Sequence, residues 1–120
     1  MKVIGIALIF LSMVVIISCS ATKQVTVLKS KDGIYSPGDE EAKEIRKQYK
    51  DVTVSQLKEG YNIYIAGACV NCHRPYNIYN IADNGWKTTL DDMAQRARIS
   101  DAQKDAVFKY VLAIKSVQPK

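Results

Sequence analysis

The reactive side chains of this sequence are concentrated in one short stretch, Cys69–Val70–Asn71–Cys72–His73. The stretch contains two of the three cysteines and the only histidine of the chain. Three kinds of site use two cysteines separated by two residues: a zinc knuckle, a thiol–disulfide couple and a haem attachment sequence. The N-terminus and the flanking elements bear on which of these sites is present.

The N-terminus has the features of a secretory signal peptide. Lys2 gives it a positive start, and residues 3–17 form an uncharged, mostly apolar run. A bilayer-spanning helix needs about 20 such residues. A cleaved signal is therefore favoured over an uncleaved N-terminal anchor. We expect an exported protein, in a compartment where unpaired thiols tend to oxidise.

The apolar run ends in Ile16–Ile17–Ser18–Cys19, which resembles the lipobox of bacterial lipoproteins. The resemblance implies that residues 1–18 are the signal peptide and that Cys19 is acylated and begins the mature chain. The alternative is a stray cysteine in an ordinary signal peptide. Because two acyl chains anchor a protein stably, we expect a lipid anchor in a bacterial membrane, on its periplasmic or outer face.

The net charge of +5 is mild and spread along the chain. There are 17 Lys and Arg residues, of which Lys2 would leave with the signal peptide, against 12 Asp and Glu. Nucleic-acid binding requires clustered basic residues with aromatic side chains among them, so no nucleic-acid partner is predicted. A basic surface that meets an acidic redox partner would act mainly on the association rate.

The periodicity of apolar residues predicts an all-α fold in which residues 53–120 are the compact domain. Residues 19–52 are interpreted as the lipid anchor and a tether that contains at most a short helix, because their apolar content is thin. Capping boxes begin at Thr53 and Ser100. The predicted elements are a helix from Val54 to about Ala66, a loop over residues 74–87, a helix capped by Thr88, and a last helix from Asp101 to about Lys115.

The position of the two cysteines favours haem over the other two sites. A thiol–disulfide couple usually lies at a helix N-terminus beside a sheet, whereas this pair follows a helix and no strand pattern is present. Structural zinc needs further ligands at characteristic spacings, and Cys19 is assigned to the lipobox. Cys69, Cys72 and His73 match the pattern for c-type haem, in which two thioethers hold the porphyrin and the adjacent imidazole binds the iron.

Residues 53–115 resemble the monohaem class I cytochromes c. The resemblance rests on Leu57, Gly60 and Tyr64 before the CxxCH sequence, and on Tyr110 in the last helix. It implies a small helical domain around one covalent haem c, with the first and last helices crossing where Gly60 packs beside Tyr110. Many members have a proline carbonyl that orients the histidine. This chain has residues 77–84 in its place, so the acceptor for His73 is not assigned.

The resemblance also implies a second axial ligand. Family members of this small type have a tryptophan followed seven residues later by a ligand methionine, and Trp86 and Met93 have that spacing. Met93 is the one methionine after Cys19, and no second histidine exists. We therefore expect His73 as the proximal and Met93 as the distal iron ligand. Tyr76 and Trp86 are candidates to line the haem pocket.

These residues predict a membrane-tethered electron carrier and not an enzyme, with redox proteins as partners and no small-molecule substrate. The iron would cycle between Fe(II) and Fe(III) with histidine–methionine ligation. One alternative is a gas-binding, sensing or catalytic haem protein with an open sixth coordination site. A second is a haem subunit of a larger oxidoreductase complex. A third is a thiol protein without haem.

Overall fold

The part of the chain described by the structure, a computed structural model, is residues 28–118, and it is all-α as predicted. No strand occurs within this range. The helices are α1 (Asp39–Ile45), α2 (Val54–Ala66), α3 (Asp83–Ala97) and α4 (Asp101–Ser116), with short 3₁₀ helices at Ala68–Asn71 and Ile78–Asn80.

Helix α2 has the bounds that the sequence predicts. The Thr53 hydroxyl accepts a hydrogen bond from the backbone N–H of Gln56 and so caps the first turn. One face of the helix, which includes Leu57 and Tyr64, is buried. The helix ends at Gly67, where a Cβ atom would lie 2.8 Å from Cα of Ile63. Glycine therefore permits the tight turn that leads into the cysteine sequence.

Helix α4 lies at the centre of the domain and contacts the other three helices. It begins at the predicted capping box, in which Ser100 and Gln103 each bind the backbone N–H of the other. Its buried face crosses α2 at Gly60, where an added Cβ would meet the Ala106 backbone and Tyr110. The predicted packing of Gly60 beside Tyr110 is confirmed.

Helix α3 starts five residues before the predicted N-cap, Thr88. It begins at Asp83, after Ala82, so the end of the predicted loop over residues 74–87 lies inside its first turn. Asn84–Gly85, a dipeptide typical of turns, is part of this helical segment. Tertiary contacts account for the difference, since Trp86 is fully buried and its Nε1 donates to the Ile78 carbonyl at 3.1 Å. Burial of this side chain outweighs a weak local preference for a turn.

The compact domain begins well before Thr53, so the predicted boundary is wrong. Ala42 and Ile45 of α1 are 0% and 2% exposed, and Val52 in the following loop is 2% exposed. These residues form an apolar cluster with Leu57 of α2 and with Leu112 and Ala113 near the end of α4. Because Ala42 and Ile45 are three positions apart, they lie on one face of α1, and this face is the one buried against the domain.

Residues 30–38, which the sequence also assigns to the tether, are held against the domain by backbone contacts. Gly33 has a φ of 77°, in the left-handed region that glycine adopts without strain. The backbone N–H of Ile78 donates to the Asp32 carbonyl at 2.8 Å. The Tyr110 hydroxyl lies 3.3 Å from the carbonyl oxygens of both Gly33 and Tyr35 and shares its one proton between them.

The predictions for the signal peptide, for the lipidated Cys19 and for the first part of the tether fall on residues 1–27, outside the described residues. Within residues 28–118, no helix is both long and apolar enough to cross a membrane.

Candidate functional site

The two cysteines lie on the 3₁₀ helix that follows α2. Cys69 is within this helix and Cys72 is the residue that ends it. Because a 3₁₀ helix has three residues per turn, side chains three positions apart project from the same side. Cys69 is half-buried, Cys72 is exposed, and neither forms a disulfide. Burial raises the pKa of the Cys69 thiol.

An apolar cleft separates this 3₁₀ helix from α3. It encloses a volume of about 60 Å³ and is partly open to solvent. The cleft is lined by Ala68, Cys69, Cys72 and His73 on one side and by Leu90, Met93, Ala94, Arg96, Ala97 and Ile99 on the other.

His73 is oriented by a backbone carbonyl, the acceptor that the sequence left unassigned. Its Nδ1 lies 2.7 Å from the carbonyl oxygen of Arg74. A carbonyl oxygen only accepts hydrogen bonds, so Nδ1–H is the donor of this bond. No side-chain pattern in the sequence pointed to this backbone acceptor.

Tyr76 lies against the ring of His73 and is not one of the side chains that line the cleft. The two ring centroids are 4.5 Å apart, with 30° between the ring planes. The Tyr76 carbonyl accepts a hydrogen bond of 2.7 Å from the hydroxyl of Tyr64 on α2. This contact joins the segment after His73 to the core, and burial raises the pKa of the Tyr64 hydroxyl.

Met93 faces the same cleft as the cysteines and the histidine. It lies on α3 three residues after Leu90 and four before Ala97, so these side chains share one face of the helix. Met93 is half-buried. The structure therefore brings together the four residues that the sequence predicted as haem attachment points and iron ligands: Cys69, Cys72, His73 and Met93.

Trp86 is on the same side of α3 as Met93 but lies in the core behind the cleft. Seven residues are two helical turns, which places both residues in one stripe. The indole is fully buried and packs edge-on against Tyr64, at 6.1 Å between ring centroids. Trp86 is therefore not among the side chains that line the cleft, and its indole fixes the start of α3.

Arg96 and Ile99 are among the lining residues of the cleft that the sequence did not identify as part of the site. Arg96 binds both carboxylate oxygens of Asp92, at 3.1 and 3.2 Å. It follows Met93 by three residues, and this helical spacing was the signal that could have identified it. Ile99 comes after the end of α3, where Arg98 adopts a φ of 55°. Helical spacing therefore could not predict that the Ile99 side chain lines the cleft.

The donor set at the cleft consists of two thiols, one imidazole and one thioether. No group of three or more His, Cys, Asp or Glu side chains within residues 28–118 is arranged to hold a metal ion. Comparisons with models of known protein families, with curated proteins and with solved structures found no match for this chain.

Proposed function

We propose that the protein is a monohaem c-type cytochrome that carries single electrons. The observation that carries the proposal is the shared cleft of Cys69, Cys72, His73 and Met93. This set fits a covalent haem, because the two cysteine thiols on one side of a turn could form two thioether bonds to it, and the His73 imidazole and the Met93 sulfur could bind its iron. When bound, the haem iron supplies a one-electron redox couple.

Each residue of the cleft has a distinct part in this proposal. Cys69 and Cys72 would hold the porphyrin covalently. His73 would bind the iron through Nε2, since Nδ1 is already engaged by the Arg74 carbonyl. Leu90, together with Ala94 and Ala97 of α3, presents an apolar wall that would shield one side of a bound haem from water.

The opening of the cleft supports electron exchange with another protein. Cys72 is exposed, so the edge of the porphyrin attached there would approach the surface. A partner could then come close without entering the cleft. The partners that we propose are redox proteins at the same membrane.

Attachment to the membrane is proposed from the sequence around Cys19. Since residues 30–52 pack onto the domain, the free tether between the lipid and the domain would be much shorter than the predicted one. A short tether keeps the effective concentration near membrane partners high. Export would place the protein on the outer side of a bacterial membrane, which is an oxidising compartment. We propose that it exchanges electrons with its partners there.

The proposal is tested by expressing the full chain in a bacterium that matures c-type cytochromes. Haem attached by thioethers survives denaturing electrophoresis, so a haem stain should coincide with the protein band. The matched control is the variant C69A/C72A, which should show no stain. An unstained band for the unaltered protein, in cells that mature a control cytochrome, would disprove the proposal.

Lipid attachment has a separate test. The variant Cys19→Ser should still be haem-stained but should move from the membrane fraction to the soluble fraction. The matched control is Ser20→Ala, which alters the next residue and should stay with the membrane. If Cys19→Ser remains in the membrane fraction, the lipid anchor is wrong while the haem proposal stands.

A further inference from the structure

The segment Arg74–Pro75–Tyr76 makes two contacts with the imidazole of His73. The Arg74 carbonyl accepts a hydrogen bond of 2.7 Å from Nδ1–H. The Tyr76 ring covers one face of the imidazole at 4.5 Å between centroids. One contact restrains the ring in its plane, and the other restrains its rotation out of that plane.

This segment is itself stiff and fixed at its far end. The ring of Pro75 sets its own φ near −65° and restricts Arg74 to extended conformations. The Tyr64 hydroxyl donates to the Tyr76 carbonyl at 2.7 Å. Tyr64 is 3% exposed and packs against Trp86 and Tyr110, so the anchor point belongs to the rigid core of the domain.

On this basis we propose that Tyr64 and Tyr76 are positioning residues that set the orientation of the His73 imidazole. Tyr64 acts through the Tyr76 carbonyl, and Tyr76 acts through its ring. This inference rests on the proposed function, because the orientation matters for a ligand whose Nε2 binds iron. Partners of this kind fix the ring plane and the basicity of a ligating histidine.

The inference is tested in the haem-loaded protein with the variants Tyr64→Phe and Tyr76→Leu. Tyr64→Phe keeps the aromatic packing and removes the hydrogen bond, whereas Tyr76→Leu removes the stacked ring and keeps the backbone carbonyl. The control is Tyr61→Phe, on the same helix, whose ring packs edge-on against Tyr110. The readout is the proton NMR spectrum of the oxidised protein, in which the spread of the haem methyl resonances reports the plane of the axial imidazole.

We expect both Tyr64→Phe and Tyr76→Leu to shift the methyl resonances and to change the reduction potential, while Tyr61→Phe leaves both unchanged. The double variant Y64F/Y76L should shift the resonances by less than the sum of the single variants, because both residues act on one ring. If either single variant leaves the methyl resonances in place while haem is attached, the link from Tyr64 through Tyr76 to His73 is wrong. Absence of attached haem in the unaltered protein would instead overturn the proposed function, and this inference with it.

Discussion

Gly60 of α2 lies directly against the backbone of Ala106 in α4. A Cβ atom at position 60 would come within 2.2 Å of the Ala106 carbonyl oxygen and 2.9 Å of Cβ of Tyr110. Neither neighbour can move aside easily, since one is helix backbone and the other belongs to a fully buried residue. The crossing of the two helices thus depends on the missing side chain.

Substitution Gly60→Ala should therefore destabilise the protein. The expected loss is about 1–3 kcal/mol, the range for overpacked cores, despite the better helix propensity of alanine. The measurement is the free energy of unfolding from denaturant titration monitored by circular dichroism. The control is Gly85→Ala in α3, where the added Cβ would meet only the Cγ2 of Ile81, at 3.1 Å.

Gly85→Ala should be neutral or stabilising by up to about 1 kcal/mol, the difference in helix propensity between the two residues. Equal effects of the two glycine substitutions would contradict the close approach of α2 and α4 at Gly60.

Substitution Ile45→Ala tests whether α1 belongs to the domain. Ile45 is 2% exposed, and removing a buried isoleucine side chain costs about 2–5 kcal/mol. The neighbouring variant Lys43→Ala changes an exposed residue of the same helix and should stay within about 0.5 kcal/mol of the unaltered protein. Thermal or denaturant unfolding measures both, and a neutral Ile45→Ala would restore the interpretation of α1 as part of a tether.

Substitution Met93→Leu separates iron ligation from packing. Leucine keeps the apolar volume, so stability should fall by less than about 1.5 kcal/mol, but it lacks the sulfur atom. In the reduced, haem-loaded variant we expect rapid carbon monoxide binding, measured by the shift of the optical spectrum. The unaltered protein should bind carbon monoxide slowly or not at all.

The same measurement distinguishes the electron carrier from the alternative of a gas-binding or catalytic haem protein. If the unaltered protein already binds carbon monoxide rapidly and fully, and Met93→Leu behaves in the same way, then Met93 is a packing residue and the sixth coordination site is open.

Alkaline pH should unfold the domain through its buried tyrosines. Burial raises the pKa of the hydroxyls of Tyr64 and Tyr110, and burial together with the Glu41 carboxylate raises that of Tyr35, all above the ordinary value of 10.0. A group whose proton is held more tightly in the folded state stabilises the fold fully below its unfolded pKa, and this stability is lost as the pH rises above it.

We therefore expect the free energy of unfolding to fall as the pH increases beyond about 10. The absorbance of these tyrosinates should appear over the same pH range in which the helical circular dichroism signal is lost. Tyr110→Phe removes one of the three groups and should reduce the steepness of this dependence. Ionisation of all seven tyrosines with the helices intact would contradict their burial.

The sequence alone predicted most of the helices and the core of the candidate site. The bounds of α2 and the capping box of α4 depend on residues three or four apart, which local patterns describe well. The prediction of Cys69, Cys72, His73 and Met93 as one site also came from short spacings, and the structure places all four at one cleft. Their binding of haem stays a prediction.

Only the tertiary structure decided features that depend on contacts between distant parts of the chain. Helix α3 starts at Asp83 and not after Thr88, because Trp86 is buried against the loop that precedes the helix. The tertiary structure also placed residues 30–52 in the domain, because the few apolar side chains there meet apolar faces contributed by α2 and α4.

At the site, the carbonyl of Arg74 has no side-chain signature, and its role was visible only once the loop was folded. Local spacing thus determined which residues share a helix face. The burial of one face against another, which contributes more to the free energy of folding than local preferences do, determined where the domain begins and what surrounds His73.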